Sequence, residues 1–204
     1  MFSSYYRYKD IYAVKQTEFV IVSNDCWGGS VYQWYKRPYN TPFVGVLLFA
    51  PCYLRLLSDF DGYMKKKLIF MPSSKYPDVP KTYPVALLGD IEIHFQHYKT
   101  ESEAADKWYR RTERMLSVTD KNNYFFKFSD GARATDELLM EFHDLSFNNK
   151  LSFSINEIDS LKNNNHICMY ESYKNENTRV PNGVKQFKLT FIYIDLNKWL
   201  TNRL

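Results

Sequence analysis

Cys26 is the residue of this sequence best placed to do chemistry, because it opens the short stretch Cys-Trp-Gly-Gly at the end of an apolar run. The run 19–22 predicts a buried strand, and the apolar spacing within 30–36 predicts the first turns of a helix. Cys26 would then lie at the edge where open α/β sheets bind ligands. A helix N-terminus favours a thiolate over a thiol, so the pattern predicts a nucleophile. The alternative is a small buried residue beside a tight turn.

The neighbours of Cys26 are candidates to bind substrate at this edge. Asn24 precedes the cysteine, and Trp27, Gly28 and Gly29 follow it. Backbone amides near Trp27 and Gly28 would stabilise the oxyanion that forms when a cysteine attacks a carbonyl group.

The segment 89–98 predicts a partner for Cys26. In an extended chain, alternate side chains face opposite sides of the sheet. One side would carry Asp90, Glu92, His94 and Gln96, and the other would carry Ile91, Ile93, Phe95 and His97. His97 would emerge at the C-terminal end of this strand, on the same sheet edge as Cys26. We expect His97 to activate the Cys26 thiol, with Asp130 orienting the imidazole ring.

The polar side of this strand supports a second chemistry. Asp90, Glu92 and His94 supply two carboxylates and an imidazole, which can bind a divalent metal or transfer protons. The alternative is that these side chains are solvated, or hydrogen-bonded to neighbouring elements, and take no part in catalysis.

A second strand-turn-helix pattern occurs at 128–135, where polar residues and a glycine precede a helix that Thr135 could cap. Asp130 occupies the position where α/β enzymes often place a catalytic or ribose-binding acid. Arg133 could hold a phosphate or a carboxylate through two parallel hydrogen bonds. The alternative for Asp130 is a turn-forming aspartate before glycine.

The predicted helix over 100–115 carries a group of basic side chains. Lys107, Arg111 and Arg114 share one stripe of this helix, and Arg110 lies beside it. Arg110 and Arg111 are candidates to hold a pyrophosphate-bearing donor, and the stripe could also contact an acidic membrane surface. The alternative is a solvated helix face paired with acidic residues of the same helix.

Strand-like and helix-like segments alternate along most of the chain. This order predicts an α/β fold of three layers, with a mainly parallel central sheet and helices on both faces. We expect one domain over 1–204, whose C-terminal part from about 155 to 204 is a less regular appendage. Strands are predicted at 19–22, 43–49, 68–71, within 83–98, at 124–128, 151–153 and 166–170, and in the tail after 187. Helices are predicted at 30–36, 53–67 and 100–115, after Thr135 and through Trp199, and a proline-rich loop at 72–84.

Composition narrows the class of protein. The 204 residues are 45% hydrophobic, which excludes a disordered chain. Three cysteines without a CxxC spacing argue against a disulfide scaffold and a structural zinc site, and they fit a reducing compartment. The formal charge of +4 permits an anionic substrate, but no basic stripe with glycines indicates a nucleic acid. The start of the chain is unlike a signal peptide, and no apolar run reaches the length of a membrane span. We expect a cytoplasmic protein, which could also contact the inner face of the membrane.

The motifs around Cys26 and His97 resemble a bacterial family of unknown function that is often labelled exopolysaccharide biosynthesis protein (domain-of-unknown-function family nineteen-nineteen). The resemblance spans nearly the whole chain and is carried by 21–29, Tyr32, 41–45, 83–85, 90–98, 103–104, 107–108, 110–111, 128–130, Phe142, Leu145, 149–150, 193–195 and 198–200. It implies an α/β fold and a gene that is encoded together with capsule and surface-polysaccharide genes. The family often carries a further charged residue and a cysteine after the Asp130 motif, where this chain has Gly131–Thr135 instead.

These observations together predict a transferase of bacterial capsular or exopolysaccharide biosynthesis. We expect acyl transfer through a Cys26 thioester, from a donor such as acetyl-CoA to a carbohydrate or lipid-linked sugar. One alternative is a glycosyl or glycosyl-phosphate transferase that uses Asp90, Glu92 and His94 with a divalent metal. The other is a non-catalytic module that binds glycan on those of its 17 tyrosines that are exposed.

Overall fold

The computed structural model describes residues 2–78, 82–169 and 179–202. Its strands are β1 (Val20–Ser23), β2 (Leu68–Met71), β3 (Val85–Leu88), β4 (Ile91–His94), β5 (Tyr124–Ser129), β6 (Asn149–Ser154) and β7 (His166–Cys168). The central sheet has the order β1-β5-β6-β7, and every neighbouring pair in it is parallel. The predicted α/β fold with a mainly parallel sheet is therefore confirmed.

Helices cover both faces of this sheet. They are α1 (Phe2–Ala13), α2 (Trp27–Trp34), α3 (Ala50–Ser58), α4 (Phe60–Tyr63), α5 (Glu101–Leu116), α6 (Asp136–Asp144), α7 (Gly183–Tyr193) and α8 (Leu196–Leu200). Alternation along β5 separates two cores, because Phe126 packs with α3, α5 and α6 whereas Phe125 packs with α2, α7 and α8. The three predicted layers follow from this alternation.

A second, antiparallel sheet has the order β2-β3-β4. The strand predicted within 83–98 is in fact a hairpin of β3 and β4, joined by the two-residue turn Gly89-Asp90. Gly89 has a φ of +66°, which a two-residue hairpin turn favours and glycine adopts without strain. The predicted strand 68–71 is confirmed as β2.

The strand predicted at 43–49 is wrong. This segment makes a single isolated β-bridge, in which Leu47 pairs with His94 of β4. The amide of Leu48, the next residue, donates to the carbonyl of Asn24 at 2.9 Å. The segment therefore connects the two sheets and does not extend either of them. Most of its apolar residues are buried, but Gly45 has a φ of +77°, which interrupts an extended strand.

Other differences concern the helices. The helix predicted over 53–67 is divided into α3 and α4 at Asp59, whose carboxylate accepts from Gly62 N and caps α4. The tail strand predicted after 187 is wrong, because those residues belong to α7; apolar residues on both sides of this helix hide its period. Helix α1 was not predicted. Both predicted caps are confirmed, since Thr100 accepts from Glu103 N and Thr135 accepts from Leu138 N.

Parts of three predicted segments lie outside the described residues: Tyr170 of the strand 166–170, residues 79–81 of the proline-rich loop, and the last two residues of the tail. The division into one domain with a C-terminal appendage stays a prediction. Within the described ranges, no helix combines the length and the apolar character that crossing a membrane requires.

Candidate functional site

A cleft of about 720 Å³ opens where the C-terminal ends of β1 and β5 meet the N-termini of α2 and α7. Its lining includes Asn24, Cys26 and His97, together with Gly131, Arg179 and Val184. The C-terminal edge of a parallel sheet is where ligands bind in open α/β folds. The volume lies within the range of pockets that hold small-molecule ligands.

Cys26 and His97 meet in this cleft, with 3.2 Å between Cys26 Sγ and His97 Nε2. Cys26 is half-buried at the N-cap of α2, and His97 follows β4 in the second sheet. The His97 amide donates to the Gly45 carbonyl at 3.2 Å, and a Cβ on Gly45 would lie only 3.1 Å from His97 Cβ. The predicted contact between Cys26 and His97 is therefore present. However, His97 follows a strand of the antiparallel sheet, whereas Cys26 follows a strand of the parallel sheet.

The thiolate predicted for Cys26 is not the resting form of the side chain. Burial and then the Asp25 carboxylate together raise the pKa of Cys26 to about 11, and Lys127 opposes them. The thiol is therefore neutral near pH 7, and it can donate to His97 Nε2 when the imidazole proton is on Nδ1. The position of Cys26 at the start of α2 therefore does not make it a preformed thiolate.

The backbone amides at the start of α2 do not form the oxyanion site that the sequence predicts. Trp27 N donates to Asp25 Oδ1 at 3.0 Å, and Gly28 N donates to Ser23 Oγ at 3.2 Å. A Cβ on Gly28 would lie 2.7 Å from the same Ser23 oxygen, so this residue is pressed against β1. The amides of Trp27 and Gly28 are engaged within the protein and do not point at a vacant oxyanion position. Gly29 is likewise buried, facing Val44.

Sequence reasoning missed the buried ion pair beneath Cys26. The Lys127 side chain has no solvent exposure, and its ammonium donates to Asp25 Oδ2 at 2.7 Å and to Ser129 Oγ at 3.1 Å. Burial lowers the pKa of Lys127, and Asp25 opposes that shift. A lysine inside the apolar run of β5 is the signal that could have revealed this pair.

Asp130 stabilises the wall of the cleft. Its carboxylate accepts from Ile155 N at 2.7 Å and from Val180 N at 2.8 Å. Burial raises the pKa of Asp130, and these two hydrogen bonds oppose the shift. Among the described residues, the carboxylate of Asp130 makes no hydrogen bond to His97, so the triad expected from the sequence is not formed.

Asn24 is a polar side chain in the cleft without a partner. It is 1% exposed, and among the described residues neither its amide nitrogen nor its amide oxygen has a hydrogen-bond partner. An unpaired buried amide costs free energy, so such a group in a native fold calls for an explanation, and a ligand is one. Asn24 lines the same cleft as Cys26, and the substrate-binding role expected for it stays a prediction.

The predicted cluster of Asp90, Glu92 and His94 is divided. Asp90 lies in the hairpin turn and pairs with Arg55 and Tyr63. Glu92 is buried 2.9 Å from His94 Nε2, and burial lowers the pKa of His94 while Glu92 opposes the shift. Glu92 also accepts from Ser74 Oγ and from Lys75 N, which fixes the loop after β2. The described residues contain no group of three histidine, cysteine or acidic side chains that could hold a metal.

The remaining predicted binding residues are not among those that line the cleft. Arg111 is buried and donates to Tyr98 Oη at 2.7 Å, whereas Arg110 is exposed. Arg133 pairs with Asp78 through both carboxylate oxygens. These arginines therefore do not gather at the cleft. Trp27 is buried among Phe153, Phe187 and Trp199, and its indole donates to Thr190 Oγ1 at 2.9 Å.

Two comparisons place the chain among known sequences. Residues 1–200 match the model of a family described as a domain of unknown function, DUF1919. The chain is also 33% identical over 151 residues to an uncharacterized protein of Haemophilus influenzae, an alignment that covers 74% of this chain and 68% of that protein. Because the family model matches nearly the whole length of the chain, the chain belongs to the DUF1919 family.

Proposed function

We propose that the protein is a transferase that carries an acyl group on Cys26, with His97 as the general base. The observation that carries the proposal is the distance of 3.2 Å between Cys26 Sγ and His97 Nε2 inside an open cleft. A cysteine and a histidine within hydrogen-bond reach are the minimum for thiol catalysis of acyl transfer.

The raised pKa of Cys26 decides how this pair would work. A thiol with a pKa of about 11 is not a preformed thiolate, so it needs a base at the moment of attack. His97 meets that need, because its Nε2 already faces the sulfur.

The reaction has two steps. In the first, the Cys26 proton passes to His97 Nε2 while the sulfur bonds to the carbonyl carbon of the donor. The donor's leaving group departs with that proton, and a thioester remains. In the second, His97 takes the proton of an acceptor hydroxyl, whose oxygen bonds to the acyl carbon. The carbon–sulfur bond then breaks, and the Cys26 sulfur recovers the proton.

Asn24 supplies the donor that the oxyanion would need. The amides of Trp27 and Gly28 already have partners, whereas Asn24 Nδ2 has none among the described residues. An amide side chain is an established type of oxyanion donor and contributes about 3 kcal/mol to such transition states. We assign this role to Asn24.

The biological setting is also part of the proposal. The sequence resemblance to proteins of surface-polysaccharide biosynthesis makes a sugar hydroxyl the first acceptor to try, free or lipid-linked. A short acyl thioester such as acetyl-CoA is the matching donor. The cleft of about 720 Å³ could hold the thioester end of the donor beside one sugar unit.

Acylation of the intact protein tests the chemistry. The protein is incubated with acetyl-CoA or with an activated acetyl ester, and the added mass and its position are measured by mass spectrometry. We expect acetyl-Cys26 in the wild type and none in Cys26→Ser. Cys168→Ser is the matched control, because Cys168 is the other half-buried free cysteine. His97→Gln should slow acylation by roughly 10²–10⁴-fold.

The two other functions predict different results. A metal-dependent glycosyltransferase would tolerate Cys26→Ser and lose activity with a chelator, but the separation of Asp90 from Glu92 and His94 disfavours it. A glycan-binding module would tolerate Cys26→Ser and His97→Gln alike. Failure of every donor to label Cys26 would exclude the acyl-transfer proposal.

A further inference from the structure

Exposed apolar side chains are concentrated on two neighbouring helices. Among the described residues, ten large apolar or aromatic side chains are exposed, and seven of them lie on α1 and α7. These seven are Tyr5, Tyr6, Tyr8, Tyr12, Val184, Phe191 and Ile192. We call them, together with Lys9 and Lys188, the α1–α7 face.

The solvent-facing side of α7 carries three exposed apolar side chains beside two exposed lysines, Lys185 and Lys188. Val184, Lys188, Phe191 and Ile192 follow the helical spacing of one side and are all exposed. Gly183, Gln186, Phe187 and Thr190 form the opposite, buried side. A surface helix normally presents polar residues to water, so exposed apolar residues in a cluster indicate a partner.

Helix α1 repeats the pattern with tyrosines. Tyr5, Tyr8 and Tyr12 share its outer side, with exposures of 57%, 69% and 69%, and Lys9 lies among them. The inner side holds Asp10, which accepts from Trp34 Nε1 and from Asn197 Nδ2. The acidic residue of α1 is therefore turned towards the protein, and the outer side is aromatic and basic.

A groove of about 370 Å³ joins the two helices. It is lined by Arg7 of α1, by Trp34 of α2, and by Phe187 and Phe191 of α7. Val184 lines both this groove and the cleft that contains Cys26. The α1–α7 face is therefore adjacent to the mouth of the candidate site.

We infer that the α1–α7 face docks on an anionic lipid bilayer. Tyrosines favour the headgroup level of a membrane, and aliphatic or phenyl side chains such as Ile192 and Phe191 insert just below it. Lysines such as Lys9 and Lys188 extend their ammonium groups to lipid phosphates. Helix α7 has no acidic residue to oppose this attraction. A sugar ligand would instead need a concave site with several polar groups.

Docking would bring the cleft close to the headgroups, where a lipid-linked acceptor would be found. The inference does not depend on the chemistry of Cys26, because it rests on the exposed side chains of α1 and α7. It holds equally for a variant in which Cys26 is inactive.

Cosedimentation with vesicles tests the docking. Binding of the full chain is measured on vesicles of phosphatidylcholine alone and of phosphatidylcholine mixed with phosphatidylglycerol. We expect binding to the mixed vesicles that weakens when salt is raised from about 0.1 M to about 0.5 M. The double variant Tyr8→Ser/Ile192→Ser should bind roughly tenfold more weakly, because two inserted apolar groups are lost.

The chain offers a matched control. Ile69 is 61% exposed and Leu116 is 41% exposed, and neither lies on α1 or α7. Ile69→Ser/Leu116→Ser also removes two exposed apolar side chains, and it should change binding by less than about twofold. Circular dichroism checks that both double variants fold. The charge reversal Lys9→Glu/Lys188→Glu is a second face variant, which should also abolish the preference for phosphatidylglycerol.

Three results would overturn the inference. The first is no binding of the wild type to mixed vesicles. The second is an equal loss in the control pair and the face pair. The third is a wild-type dimer in sedimentation velocity that Tyr8→Ser/Ile192→Ser dissociates without any vesicle binding, which would make the face a contact between two copies of the chain.

Discussion

The Lys127 ammonium lies 2.7 Å from Asp25 Oδ2, and the Lys127 side chain has no solvent exposure. The same Asp25 carboxylate accepts from Trp27 N at the start of α2. One ion pair therefore joins β5 to the turn that carries Cys26. The position of the candidate nucleophile depends on a lysine buried in the middle of an aromatic strand.

Removal of Lys127 should be costly. Lys127→Met leaves Asp25 as an unpaired, mostly buried charge, and breaking such a pair costs about 3–5 kcal/mol. We expect the free energy of unfolding, measured by urea denaturation, to fall by that order. Lys127→Met/Asp25→Asn removes both charges and should be more stable than Lys127→Met alone. A double variant that loses the sum of the two single losses would show that the pair is not coupled.

The reactivity of Cys26 should follow its raised pKa. Because burial raises the pKa of Cys26 to about 11, alkylation by iodoacetamide should accelerate with pH up to at least about 10. Asp25→Asn removes a charge that raises this pKa, so the variant should react faster at pH 8. Peptide mapping separates Cys26 from Cys52 and Cys168. Rapid alkylation that is complete below pH 8 would contradict the neutral thiol.

Local sequence signals predicted the strand, turn and helix around Cys26, but they gave an incomplete account of how His97 reaches it. The strand, the turn and the helix around Cys26 are encoded within about 15 residues, so periodicity could predict them. His97 reaches the cleft through a hairpin turn and through Gly45, whose positive φ allows close approach. Those contacts join distant parts of the chain, and no local pattern encodes them. The prediction had the right pair for a partly wrong reason.

Local patterns also do not encode the contacts of Asp130 and Asp90. The strand-turn-helix pattern predicts the position of Asp130, but its partners Ile155 and Val180 are 25 and 50 positions away. Asp90 has the spacing of a polar strand face, yet a glycine turn removes it from the strand. Sequence alternation predicts which side chains share a face only when the strand continues through them.

Acid should destabilise the fold through a buried histidine. Burial lowers the pKa of His143 to about 4, from about 6.5 in an unfolded chain. The neutral form is favoured on folding, so the stability it contributes is complete above pH 6.5 and is lost as pH falls towards 4. The loss amounts to about 3 kcal/mol for a shift of this size. Urea denaturation at pH 7, 5 and 4 measures it.

His143→Gln is the control for this pH dependence. His143 Nε2 lies 2.7 Å from Ser152 Oγ, and a glutamine amide can keep a hydrogen bond to that hydroxyl without titrating. The variant should be less sensitive to acid than the wild type over the same range. His166 also has a pKa lowered by burial, so part of the dependence should remain. An unchanged slope in the variant would assign the effect elsewhere.

Gly183 should be the least replaceable glycine at the cleft. A Cβ at this position would overlap Trp27 N and lie 2.8 Å from Asp25 Oδ1, because α7 begins directly against the start of α2. Gly183→Ala must push these helices apart, at a cost of about 1–3 kcal/mol, and displace Cys26 from His97. Gly131→Ala is the matched control, since Gly131 lines the same cleft and a Cβ there would meet no atom of the described residues within 4 Å. Gly183→Ala should lower both the thermal unfolding temperature and the rate of Cys26 acylation. Gly131→Ala should change neither of these two quantities. Equal behaviour of the two variants would mean that the close approach of α7 to α2 does not hold Cys26 in position.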